Sequence, residues 1–209
     1  MIEKKFIQQN VKSLELERYF RKTLEKADYS HTDIKITPLS TKITIVVGKP
    51  GIAIGKGGKT IKELTNTLTN KYKIKNPQLD IQTAENPDLD SFIIAKNIAG
   101  SLERGLKPGR LINIYLRKIT FAGAVGAEIT ISGKISGSRG RTEKVLIGYI
   151  KKCGDMAEEY VKEGLATATL KQGVVGVKVK ILPFLPKSLQ IEKEIKKLFS
   201  KKKAEEKKK

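Results

Sequence analysis

One short segment narrows the folds open to this chain more than any other. Gly55-Lys56-Gly57-Gly58 lies between a short apolar run, Ile52 to Ile54, and a pattern in which Ile61, Leu64, Leu68 and Tyr72 recur. Their period of about 3.6 residues predicts a helix that starts at the glycine cluster. Glycines let the backbone approach an anion closely, and the first turn of a helix presents free N–H groups. Lys56 and Lys59 add positive charge where a phosphate would sit. Gly55, Lys56, Gly57, Gly58 and Lys59 are therefore candidate nucleic-acid-binding residues, forming a clamp for the backbone.

Rival uses of such glycines fail at named positions. A nucleotide-binding P-loop ends in Gly-Lys-Ser/Thr, which Gly58-Lys59-Thr60 satisfies, but the position that must hold its first glycine is Ala53. A dinucleotide fingerprint needs a third glycine where Thr60 stands. A plain connecting turn requires neither two lysines nor three glycines.

Charge points to the same class of partner. Forty-two Lys and Arg face 22 Asp and Glu, a formal net charge of +20. The tail from Lys201 to Lys209, with six Lys and two Glu, supplies only +4 of it. An excess of this size attracts polyanions, nucleic acid first among them. One cysteine, Cys153, excludes an internal disulfide, and one histidine, His31, is too few for a metal site or a catalytic triad. Cys153 is expected to be a small buried or half-buried residue, and His31 a solvated loop residue. The opening Met1-Ile2-Glu3-Lys4-Lys5 begins no signal peptide, and no run approaches the roughly 20 apolar residues that span a bilayer. A cytoplasmic protein with no membrane partner is the expectation. Without clustered carboxylates for metal ions or a nucleotide loop, an enzyme such as a nuclease or lyase is not expected.

Ser13 is expected to cap a helix carrying Leu16, Phe20, Leu24 and Ala27. Alternation then predicts strands from Asp33 to Leu39 and from Lys42 to Gly48, joined by a turn at Ser40-Thr41, and another strand through Leu79, Ile81 and Thr83. Asn86-Pro87-Asp88 breaks the pattern and marks the expected domain boundary. Beyond it, a helix carries Leu89, Phe92, Ile93, Ala99 and Leu102 to Gly105, and Pro108 to Ala122 reads as a second helix. On that second helix Arg110, Asn113 and Arg117 share one face, opposite Ile112, Tyr115, Leu116 and Ile119, while Ile114 and Phe121 fall near the basic face. A strand through Ala127, Ile129, Ile131 and Ile135 should keep Glu128, Thr130, Ser132 and Lys134 on a wet face. A turn at Ser136 to Gly140 and strands near Val145 to Tyr149, Leu165 to Leu170 and Val175 to Ile181 follow. From Gln190 a short helix gives way to the Lys-rich tail.

The order helix, strand, strand, short helix, GXXG, helix, strand resembles the type II KH domain, whose GXXG loop clamps about four backbone nucleotides. Beyond it, ISGKISGSRGR (131–141), KKCGD (151–155) and KQGVVGVKVKIL (171–182) resemble the C-terminal domain of the third small-subunit ribosomal protein family, with MIEKKFI similar to its archaeal and eukaryotic branch. The resemblance implies an α+β chain: a type II KH domain (αββααβ) over 1–86, a second α+β domain with a largely antiparallel sheet over 87–186, and a short helix with a Lys-rich tail over 187–209. It implies a constituent of the subunit head that binds ribosomal RNA and neighbouring head proteins and lines the channel where messenger RNA enters, and it implies no cofactor. By motif position it carries Arg110 and Arg117 over as residues facing the message, with Lys134, Arg139 and Arg141 beside them. At Gly109 the chain departs from the second arginine usual there. A free-standing KH regulator of RNA would share the KH fold and the charge.

Overall fold

The computed structural model describes residues 2–184 apart from 38, 39, 75 and 136. The helix and tail expected from Gln190 onward lie outside the described residues. The chain divides into two compact units that part between Asn97 and Ile98.

In the first unit, α1 (Ile2–Thr23) leads into β1 (Tyr29–Ile36) and β2 (Thr41–Val47), followed by α2 (Pro50–Ile54), α3 (Lys59–Asn70) and β3 (Pro77–Thr83). The sheet runs β1-β2-β3. β1 is antiparallel to β2, whereas β2 and β3 are parallel in register from Thr41↔Pro77 to Val47↔Thr83. A parallel pair cannot be closed by a hairpin, so the chain must cross over the sheet between them, and α2 and α3 are that crossover. The glycine cluster is thereby held at the junction of two helices lying over one sheet. The αββααβ order expected from the sequence is present, and the core is the one its apolar periods select. Leu16 and Phe20 of α1, Ile43, Ile45 and Val47 of β2, and Leu64 and Leu68 of α3 pack into a single buried cluster.

Several sequence expectations need correction here. Ser13 lies inside a helix and not at its start, because α1 already runs from Ile2. No Gly or Pro interrupts residues 2–12, and helix-favouring residues such as Lys and Gln carry the turn past the potential cap. β1 begins at Tyr29, ahead of the alternation at Asp33, so His31 lies on a strand, exposed, with Nδ1 2.8 Å from Ser30 Oγ. β1 ends at Ile36 and Thr41 already belongs to β2, while between the strands the Thr37 N–H donates to the Ser40 carbonyl at 3.0 Å.

Tyr29 shows how this core meets its polar edge. Only 4% exposed, it bonds Thr32 Oγ1 through its hydroxyl at 2.8 Å, and burial pushes its phenol up to about 12. A free tyrosine ionises near about 10. Its contribution to stability is therefore complete below about pH 10 and is lost as pH rises through 12, because the unfolded chain sheds the proton first. In urea titrations the wild-type protein is expected to lose stability faster than Tyr29→Phe between pH 10 and 12. Parallel pH profiles would contradict this.

The first turns of α4 (Ser91–Glu103) belong to this unit. The Asp90 carboxylate accepts from the Phe92 N–H at 3.0 Å, capping the helix, and also from Ser30 Oγ. Lys96 pairs with Glu25 at 3.1 Å, and Arg21 lies 5.1 Å over the Phe92 ring. These contacts explain why the division comes after the break at Asn86.

The second unit holds the rest of α4, then α5 (Pro108–Phe121), β4 (Gly126–Gly133), β5 (Arg141–Gly148), α6 (Asp155–Tyr160), β6 (Lys162–Leu170) and β7 (Gly173–Leu182). Its sheet runs β5-β4-β7-β6 with every neighbour antiparallel. Ala127, Ile129 and Ile131 of β4 and Val175, Val177, Val179 and Ile181 of β7 are buried, as their alternation requires. α5 packs against β4 and β5 and buries Leu111, Ile112, Leu116 and Ile119.

The wet face expected of β4 is only partly wet. Glu128 is 6% exposed and receives Lys144 Nζ of β5 at 2.8 Å. β4 is an interior strand of the sheet, so its outward face is flanked by side chains on both sides, and a buried carboxylate there requires a cation. Ile135 falls beyond the end of β4, and Cys153 is exposed in the segment between β5 and α6.

Candidate nucleic-acid interface

The candidate cations form one set in the first unit and two in the second, and none of them joins an ion pair among the described residues. Around the glycine cluster, α2 ends as the Gly55 N–H donates to the Gly51 carbonyl at 3.1 Å, a 3-10 turn covers Lys56–Gly58, and α3 begins at Lys59. Gly55 has φ 74° and ψ 174°, and a Cβ there would meet Thr60 Oγ1 at 2.2 Å. No other residue fits that position, for reasons of both backbone and space. Gly57 and Gly58, at φ 62° and 74°, have nothing within 4 Å of a built Cβ. That open space is the surface a ligand would approach, in front of the N–H groups at the start of α3, where no acidic side chain lies in the first turn.

Lys56 and Lys59 are both exposed beside it. Sequence reasoning did not single out Ile52 and Ile54, yet they are 50% and 40% exposed on α2 while Ala53 between them is buried. They place apolar surface next to the clamp. Their only sequence signal was the run Ile-Ala-Ile directly ahead of the glycines, which reads equally well as core.

In the second unit, Arg110 and Arg117 are exposed on α5 and, with Asn113 and Ile114, line a shallow groove of about 470 Å³. Lys134, Arg139 and Arg141 lie elsewhere, in and beside the hairpin between β4 and β5, where Gly133 pairs with Arg141, and all three are exposed. The predicted residues of this unit thus form a helical pair and a hairpin set. Gly109 faces β5: a Cβ built on it would stand 4.0 Å from Glu143 Oε2. The place of the missing arginine is next to a carboxylate.

Pairing sets the candidate residues apart from some of the other cations, but not from exposed ones such as Arg18, Lys62 and Lys171, which also join no ion pair among the described residues. Lys42, Lys49, Lys96, Lys144, Lys178 and Lys180 each sit within an ion pair. Glu163 illustrates the strength of such pairing, its carboxyl held below the usual range by hydrogen bonding from Lys178. Among the described residues, no ion pair uses Lys56, Lys59, Arg110, Arg117, Lys134, Arg139 or Arg141. A cation already matched by a carboxylate must lose that partner before it can neutralise a phosphate, whereas an unmatched one exchanges only small counterions. Among the described residues no cluster of three or more His, Cys, Asp or Glu is placed to hold a metal ion, and no helix is long and apolar enough to cross a membrane.

Two family profiles match the chain. One, described as KH domain, covers residues 15–120, and the other, described as Ribosomal protein S3, C-terminal domain, covers 98–181. Among similar proteins, the small ribosomal subunit protein uS3 of Methanocaldococcus jannaschii is 50% identical over 182 residues, 87% of this chain and 88% of the relative. That of Methanococcus maripaludis strain C5 is 48% identical over 87% of this chain and 86% of its own length. That of Methanothermobacter thermautotrophicus is 43% identical over 88% of this chain and 71% of its own.

Proposed function

The chain belongs to the uS3 family of small ribosomal subunit proteins, and from that premise we propose how its two basic sites divide the work. It is a structural constituent of the ribosome and not an enzyme. The GKGG loop holds ribosomal RNA in the subunit head, among neighbouring head proteins. The Arg110 and Arg117 face of α5, helped by Lys134, Arg139 and Arg141, lines the channel through which messenger RNA enters. The cytoplasmic ribosome is its place of work.

The observation that carries this reading is the open glycine turn at the start of α3 with exposed Lys56 and Lys59 beside it, matched in the second unit by exposed cations outside any ion pair among the described residues on one face of α5 and on the β4–β5 hairpin. Phosphate contacts position a nucleic acid without reading its sequence, which suits a scaffold protein and a channel wall alike. Sedimentation of a cell extract is the direct test. The protein should migrate with small subunits, and a free pool alone would instead favour a stand-alone KH regulator.

Salt dependence gives a second check. With each neutralised phosphate adding about 0.7 to 0.9 to the slope, log affinity for ribosomal RNA is expected to fall with log salt by several units. A salt-independent affinity would exclude binding through these cations.

A further inference from the structure

α5 carries a stripe that its own fold leaves unused. Arg110, Ile114, Arg117 and Phe121 follow one another at spacings of four, three and four residues, which at about 100° per residue confines them to an arc of about 60°. Cations and apolar groups alternate along it. Ile114 is 41% exposed and Phe121 89%, while the opposite face of the helix buries Leu111, Ile112, Leu116 and Ile119. α5 holds no acidic residue, and the nearby carboxylate of Glu143 stands at its first turn, beside Gly109.

We propose that this stripe distinguishes unpaired from paired RNA, with Arg110 and Arg117 taking backbone phosphates and Phe121, one turn beyond Arg117, stacking on an unpaired base. The inference rests on the assignment of this helix face to messenger RNA and adds a specificity that charge alone does not supply. A duplex shows such a surface mainly phosphate and sugar, against which Ile114 and Phe121 gain nothing, because its base faces are stacked inside. A single strand offers base faces that an exposed aromatic covers regardless of sequence, so the contact slides from one nucleotide to the next. A protein partner fits less well, since desolvating both arginines would require carboxylates placed opposite them. Preferential binding of the open form also traps each base pair as it frays, shifting the pairing equilibrium toward single strand.

The test uses the full chain carrying Lys56→Asp and Gly57→Asp, so that the GKGG loop does not mask the second site. Phe121→Ala is expected to weaken binding of an unpaired ten-nucleotide RNA by at least about fivefold while changing blunt-duplex affinity by less than about twofold. The chain has no Trp, so Phe121→Trp supplies a single reporter. Its emission should be quenched by the unpaired RNA and not by the duplex. Equal effects of Phe121→Ala on both RNAs, or an unquenched tryptophan, overturn the proposal. Arg110→Ala with Arg117→Ala separates the two levels. If that pair weakens both RNAs while Phe121→Ala weakens neither, stacking alone is wrong; if the arginine pair has no effect either, the RNA assignment of this face fails with it. Small subunits with Phe121→Ala that lose a protein neighbour while single-strand affinity holds would make the residue a protein contact instead.

Discussion

Replacing Lys56 and Gly57 together with Asp is expected to lower affinity for ribosomal RNA by about two orders of magnitude while leaving the fold intact. One lost charge-assisted hydrogen bond costs about 1.5 to 3 kcal/mol, and the carboxylates that replace it repel the phosphate they face. The fold is spared for reasons visible at each position. Lys56 is exposed and takes part in no ion pair among the described residues. Gly57 adopts φ 62° and ψ 23°, a left-handed conformation that Asp tolerates better than most residues, with open space where its Cβ would go. Gly55 could not serve in the same test. A side chain there would run into Thr60 and rebuild the loop, so a loss of binding would not distinguish charge from shape. Filter binding to a ribosomal RNA fragment, with circular dichroism as the control, decides the matter. Unchanged affinity with an unchanged spectrum would remove the loop from the RNA interface.

What was legible in the sequence were the features written in local period and local chemistry. The core face of α3, the alternation of β7 and the turn-forming glycines each depend on neighbours within one or two turns of chain, and all stand as expected. α5 was legible too, in spite of its β-branched residues, because Pro108 and Gly123 bracket a length suited to a helix. The misreadings share a different cause. Whether Glu128 is wet depends on β5 and β7 lying on either side of it and on Lys144 reaching it across the sheet, which is a matter of register between distant segments. The start of β1 depends on pairing with Val47 across a register shift between Tyr29 and His31, so its first residues show no alternation to read. At the candidate sites, residue types and spacing were enough to choose the cations. Which lysines are already matched by carboxylates could not be read from spacing, because Lys144, Lys178 and Lys180 find their partners across strands.

That difference in pairing leads to the expectation for α5 in the working ribosome. Arg110 and Arg117 are exposed, lie on the face opposite the core and join no ion pair among the described residues, so removing them takes nothing from the interior of the unit. Small subunits carrying Arg110→Ala and Arg117→Ala are therefore expected to contain the protein at nearly normal occupancy, since the GKGG loop is untouched. Passage through a stable messenger RNA hairpin is where the change should appear. Two solvent-screened charge contacts of up to about 1 kcal/mol each correspond to a slowing of several-fold, up to roughly thirtyfold. A moving message cannot be held through base-specific hydrogen bonds, so charge is what these two arginines supply. Arg110→Lys with Arg117→Lys should accordingly have a milder effect, losing the planar fork and keeping the charge. The measurement pairs protein occupancy of purified subunits with the rate of translation through the hairpin. A collapse in occupancy would assign the two arginines to ribosomal RNA or to the fold, and normal values of both would leave them as solvated side chains with no part in handling the message.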